Sequence, residues 1–202
     1  MQALLDAVPG LAQAACGPLQ AEQVAQIDSK DMDVGIWRAL AARCAVLLAD
    51  AQVRGIVITH GTDTLEETAW FLHSVLAACK PVVLTCAMRP ATALAPDGPQ
   101  NLRDAVVVAA EPGVQGVLVV AAGTVHGARE VQKVLSATWA ITGAGMAWNR
   151  ARPAITQRTV GKPCSIANVT KERVCACGPY AWRGAGGSIA VELPGSPPST
   201  PQ

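Results

Sequence analysis

A threonine and an aspartate, Thr62 and Asp63, stand side by side just after His60-Gly61 and just before Thr64-Leu65-Glu66-Glu67. A hydroxyl beside a carboxylate can hold or activate a nucleophile, and free N–H groups at a helix start attract an anion. The same residue types are also ordinary caps and turn formers, so local chemistry leaves both readings open. The flanking pattern says where the pair sits. Ile56 to Ile58 is a β-branched apolar run of the kind found in buried parallel strands. Gly61 would allow a sharp turn or a close backbone approach to a ligand. Thr64 to Glu67 has the spacing of a capping box, and Leu65, Ala69, Leu72, Val75 and Leu76 share one helical face behind it. The pair is therefore expected in a strand-to-helix turn at the carboxyl end of a strand, where open α/β sheets bind ligands.

The elements that must hold this turn follow from the rest of the pattern. Leu4 to Ala15 reads as helix interrupted at Pro9-Gly10, and Gln23 to Ile27 as a short strand. Asp28 to Met32 is a polar loop with an N-cap at Asp31 or Asp33. Asp33 to Gln52 is an amphipathic helix with Ile36, Leu40, Cys44, Leu47, Leu48 and Ala51 on its apolar stripe. The helix over 64–79 should stop at Lys80-Pro81, and Val82 to Thr85 is the next strand. A long Pro- and Gly-rich loop from Ala87 to Gln100 leads to a helix over 99–110 with Pro99 at its first position. Gly116 to Ala121 is another apolar strand. Strands alternating with helices predict right-handed crossovers and a parallel sheet with helices on both faces, an α/β fold of flavodoxin-like character.

Composition narrows the class. The chain has 202 residues and a net charge of +1, which gives no argument for nucleic acid or an anionic membrane as partner. Charge is uneven: nine Lys and Arg face thirteen Asp and Glu up to Val134, whereas seven face two from Leu135 onwards. With a Pro-, Gly- and Arg-rich composition over the same stretch, this splits the chain into an α/β unit over 1–134 and a divergent, poorly ordered tail over 135–202. The seven cysteines are scattered. Cys44 and Cys79 read as buried thiols, and Cys175 and Cys177 are too closely spaced for a zinc knuckle. His73 and His126 lack companions at ligand spacing. There is no P-loop and no ordered GxGxxG after a strand, so neither metal nor organic cofactor is expected. The first residues lack the basic stretch of a secretory leader. That gives a cytoplasmic expectation, or a periplasmic one if a leader precedes this sequence.

GIVITHGTDTLEETAWFLH, residues 55–73, resembles a signature motif of bacterial-type L-asparaginases. Downstream, PVVLT at 81–85, AMRPAT at 87–92, Asp97-Gly98-Pro99 and Asn101-Leu102 resemble that family's next motifs in order. Val125-His126-Gly127-Ala128-Arg129 through Lys133 resembles its VHGARxVxK segment. The resemblance runs from about Ala3 to about Lys133. The family's TGGT motif, which carries a further threonine, and a recognisable C-terminal domain are not found in the sequence.

The resemblance implies Thr62, Asp63 and Lys133 as catalytic residues. It implies Ser29, Lys30, Gly61, Thr62, Asp63 and Ala87 as substrate-binding residues, with Cys86 at a position where the family has Gly. Carboxamide hydrolysis needs an activated nucleophile, oxyanion stabilisation and a proton for the leaving ammonia. Thr62 would supply or position the hydroxyl, Lys133 would move the proton, and Asp63 would orient Lys133 and grip the substrate ammonium. Ser29 and the N–H groups of Gly61 and Thr62 would hold the α-carboxylate. The implied substrate is L-asparagine, with L-glutamine open, and the implied assembly is a homo-oligomer. Two other readings fit the same motifs. One is a catalytically inactive relative or partner fragment. The other is a glutaminase-asparaginase or an amidotransferase-subunit-like protein.

Overall fold

The structure, a computed structural model, describes residues 8–135, 138–141, 146–147 and 190–194, with side chains up to Lys133. Its centre is three parallel strands, β2 (Val53–Thr59), β3 (Pro81–Thr85) and β4 (Gly116–Ala121), paired in the order β2-β3-β4. The apolar runs legible in the sequence form these strands because both of their faces are covered. Ile56, Ile58, Val82, Leu84, Val117 and Val119 point to one face, and Val57, Val83 and Val120 to the other.

Helices cover both faces. On the first lie α2 (Val34–Ala49), through Leu40, Cys44, Leu47 and Leu48, and α3 (Leu65–Val75), through Leu65, Ala69 and Leu72. On the second lie α1 (Leu11–Ala15) and α4 (Gly98–Ala110), the latter through Leu102, Ala105, Val106, Val108 and Ala109. Fully burying one such Leu or Val contributes about 1.5–3 kcal/mol, so these two layers hold the sheet. The α/β class with helices on both faces is as expected, but the sheet is mixed. Strand β1 (Gln20–Glu22) and strand β9 (Ala190–Pro194) continue it antiparallel beyond β2, in the order β1-β9-β2. Beyond β4 it continues antiparallel through β5 (Thr124–Gly127) and β8 (Met146–Ala147). A separate two-stranded ribbon joins β6 (Val131–Leu135) to β7 (Thr138–Ile141). Among the described residues no helix is long and apolar enough to cross a membrane.

Several boundaries differ from expectation for local reasons. The first strand is Gln20–Glu22 rather than 23–27, because Val24 and Ala25 both turn onto the α2/α3 core instead of alternating across a sheet. Helix α3 ends at Val75, four residues early, because the chain must already be extended where the Ala78 carbonyl accepts from Gly116 N. Cys79 consequently lies in that connection and is exposed, whereas Cys44 is buried as read. Asp33 is the N-cap of α2, its carboxylate accepting from Ile36 N at 2.8 Å. Of the expected N-terminal helix, residues 4–7 lie outside the described residues, as do Cys175, Cys177 and most of the 135–202 tail.

One glycine is required by packing. A Cβ on Gly55 would run into the Ala109 carbonyl and lie 2.9 Å from Pro81 Cγ, where α4 crosses β2 and β3. Gly55→Ala is expected to cost about 1–3 kcal/mol through overpacking against backbone, read as a lowered urea midpoint with an unchanged m-value.

Candidate active site

Parallel pairing sets Thr59 level with Thr85 and Thr85 level with Val120, so the turns leaving β2, β3 and β4 emerge together. Polar groups lock these ends. His60 N donates to the Thr85 carbonyl at 2.8 Å, and the Thr85 hydroxyl donates to the Val120 carbonyl at 2.7 Å. Asn101, buried on α4, donates from Nδ2 to the Cys86 carbonyl at 2.9 Å and accepts at Oδ1 from Ala122 N at 3.1 Å. That second bond holds Ala122 at φ 51°, a left-handed conformation in the two-residue turn between β4 and β5. Asp97 ties down the loop after β3 by accepting from Met88 N and Arg89 N at 3.0 and 2.8 Å.

On this platform the His60–Asp63 turn leads from β2 into α3. The positive-φ glycines among the described residues are Gly10, Gly113, Gly116 and Gly123, so Gly61 is not kept for a left-handed backbone. Thr62 is buried, and Asp63 faces solvent. Lys133 reaches them from β6, 70 or so residues further along the chain. Its Nζ donates to Thr62 Oγ1 and to Asp63 Oδ1, both at 2.9 Å. Ser29 meets the same turn from a 3-10 turn over Ser29–Asp31. Fully buried, it accepts at Oγ from Asp63 N at 3.3 Å and at its carbonyl from the Thr64 hydroxyl at 2.6 Å.

That last bond corrects the expected capping box. Thr64 occupies the N-cap of α3, but its Oγ1 accepts no cap bond from the helix; its hydroxyl instead donates to the Ser29 carbonyl. Glu67, the expected reciprocal partner, is exposed. Its neighbour Glu66 accepts at Oε2 from Lys133 N at 2.8 Å.

The structure thus brings Ser29, Thr62, Asp63 and Lys133 into one bonded cluster. Lys30 lies beside it but turns outward, where its ammonium pairs with Asp28 at 2.7 Å and Asp31 at 3.0 Å. Those carboxylates, Asp28 foremost, raise its pKa. Ala87 is buried at the end of β3, and the Cys86 side chain is buried within the α2/α3 core with Leu84 and Ala121. Sequence reasoning gave no role to Glu66, and Asn101 entered only as part of a motif. A first-turn acid and an asparagine within a helix otherwise dominated by Ala and Val are the signals that were there to be read.

Residues 1–143 match the family described as "Asparaginase, N-terminal". The chain belongs to the asparaginase family. The family match extends to Gly143, past the Lys133 limit of the motif resemblance. L-asparaginase 2 of Bacillus subtilis is 44% identical over 140 residues, covering 68% of this chain and 37% of that protein. L-asparaginase 2 of Escherichia coli is 46% identical over 133 residues, covering 64% and 37%. Glutaminase-asparaginase of Pseudomonas fluorescens is 41% identical over 138 residues, covering 67% and 38%. Among solved structures, a probable cytoplasmic L-asparaginase from Campylobacter jejuni superposes with a TM-score of 0.73 at 36% identity, covering 79% of this chain and 52% of that one. The chain therefore spans well under half the length of the curated asparaginase relatives named here.

The site carries a built-in acid sensitivity. His60 is buried, and desolvation lowers its pKa to about 4 against an ordinary 6.5, the bond to the Gly61 carbonyl opposing this only in part. Neutral His60 therefore carries its proton on Nδ1, which donates to that carbonyl at 2.7 Å. Between pH 6.5 and 4 the unfolded chain binds a proton that the folded chain refuses, so stability rises with pH across that window. Acidification through it is expected to cost about 3 kcal/mol at His60. Burial lowers His126 and His73 as well, in the same direction. Urea unfolding of the wild type should weaken steadily from pH 6.5 to 4, and His60→Gln should reduce that slope without abolishing it.

Proposed function

We propose that this chain carries the amidohydrolase site of an L-asparaginase, converting L-asparagine to L-aspartate and ammonia. The observation that supports this best is the single Lys133 ammonium within 2.9 Å of both Thr62 Oγ1 and Asp63 Oδ1. In this reading Thr62 Oγ1, or a water that it holds, attacks the amide carbon while its proton is relayed through Lys133 Nζ. The C–N bond breaks, the proton returns to the leaving ammonia, and water completes hydrolysis if an acyl-threonine has formed. The logic is that of a nucleophile, base and orienting acid, with Lys in the place of His.

Asp63, partly open to solvent, orients Lys133 and offers an oxygen to the substrate ammonium. Backbone N–H groups of Gly61 and Thr62 serve the substrate's anionic groups. Ser29 already accepts from Asp63 N; its hydroxyl proton is the donor left for the α-carboxylate once movement of the Asp28–Asp31 turn gives access. Ala87 lines the amide end in this reading, and Lys30 acts on the approaching carboxylate through its exposed charge. L-glutamine is the second candidate substrate, supported by the glutaminase-asparaginase relative from Pseudomonas fluorescens. Assembly as a homo-oligomer is part of the same proposal.

The test is ammonia release from L-asparagine and L-glutamine by the purified chain. Thr62→Ala and Lys133→Met should each lower kcat on the order of 10⁴-fold, as loss of one member of such a set does. Variants that keep wild-type turnover, or a cooperatively folded wild type that releases no ammonia from either amide, would overturn the reading.

A further inference from the structure

Lys133 sits on β6, and β6 does not belong to the seven-stranded sheet. Its ladder partner is β7, in a separate two-stranded ribbon. Such a ribbon is marginal by itself and fixes no position relative to the sheet. Besides the Lys133 ammonium itself, two contacts anchor the start of β6 to the body. Val131 is buried in the α2/α3 core. Two residues on, the Lys133 N–H donates to Glu66 Oε2 at 2.8 Å.

Glu66 stands in the first turn of α3, three residues after Asp63. The short stretch from the strand-to-helix turn into the first turn of α3 therefore carries, at one end, the Thr62-Asp63 pair and, at the other, the carboxylate that grips the backbone of the residue they must meet. We infer that Glu66 is a positioning residue: its carboxylate, held on the Lys133 N–H, sets the distance from Lys133 Nζ to Thr62 Oγ1 and Asp63 Oδ1. This rests on the reading of Thr62, Asp63 and Lys133 as the reacting set, and it adds a residue that acts only through Lys133.

An acid in a first helical turn has a simpler use, since it complements the helix dipole. Glu67 separates the two explanations. It lies in the same turn with the same charge but is exposed. If the dipole were the whole account, the two residues would be interchangeable. If the bond to Lys133 matters, only Glu66 should affect the site, and an uncharged acceptor should largely replace it.

The experiment uses the full chain with three variants, Glu66→Ala, Glu66→Gln and Glu67→Ala, each checked for a cooperative melt. Two quantities are read: kcat and KM for ammonia release, and the Lys133 amide proton by NMR, its shift and exchange rate. Glu66→Ala is expected to move the Lys133 amide upfield, speed its exchange about 10-fold or more, and lower kcat on the order of 10²-fold with little change in KM. Glu66→Gln should keep most of kcat, and Glu67→Ala should leave both readouts at wild type. Equal effects of Glu66→Ala and Glu67→Ala would overturn the inference, as would a Lys133 amide indifferent to Glu66→Ala. Should the wild type release no ammonia, the proposed activity fails while the amide readout still decides the role of Glu66.

Discussion

Three parallel strands that end side by side leave a row of backbone groups and turns at one rim of the sheet, and the candidate site depends on how that rim is tied off. The bonds from His60 N to Thr85 O, from Thr85 Oγ1 to Val120 O and from Asn101 to Cys86 O are made there, in places closed to water. An unmet polar group at such a depth costs about 1–3 kcal/mol, so the rim has little freedom to rearrange. The turn bearing Thr62 and Asp63 inherits that rigidity.

Stability and site geometry run in one direction. The Lys133–Asp63 ion pair is a quarter to two-fifths exposed, and pairs of this kind contribute about 0–1 kcal/mol. It does not hold the fold; the fold holds it, through Val131 in the core and the Glu66 carboxylate on the Lys133 backbone. Ser29 works similarly, its two bonds to Asp63 N and the Thr64 hydroxyl closing a second short bridge onto the same turn. The cluster is a meeting of three chain segments far apart in sequence, the Ser29 segment fixed to the central turn by two hydrogen bonds and the Lys133 segment by three.

What the sequence makes legible follows from how local its cause is. Ile56 to Ile58, Val82 to Leu84 and Val117 to Val120 announce buried strands because burial on both faces demands unbroken apolar runs. The stripe of α2 shows its inward side for the same reason. Thr62 and Asp63 are legible from their place between strand and helix. Lys133 is not, because an isolated lysine carries no sign of what it meets some 70 residues earlier; only the order of motifs points to it. The Thr64 cap misleads because the bond its hydroxyl makes is to the Ser29 carbonyl, 35 residues away. Cys79 misleads because the helix is cut short by the need to reach the β4 register at Gly116.

Strand β9 is the extreme case of non-local cause. It lies between β1 and β2, antiparallel to both, yet about 130 residues separate Thr59 from Ala190. On a ribosome that length of chain takes on the order of 10 s to emerge. During that interval the outer edge of β2 has its backbone groups formed but no ladder to join, while α2, α3 and β3 can already pack. Until β9 emerges, the nascent chain carries an open strand edge on the β1 side of β2. Such an edge is a template for pairing with other chains. Aggregation during production is therefore a matter of timing as well as of final stability, and slower growth or a holding chaperone acts on that interval.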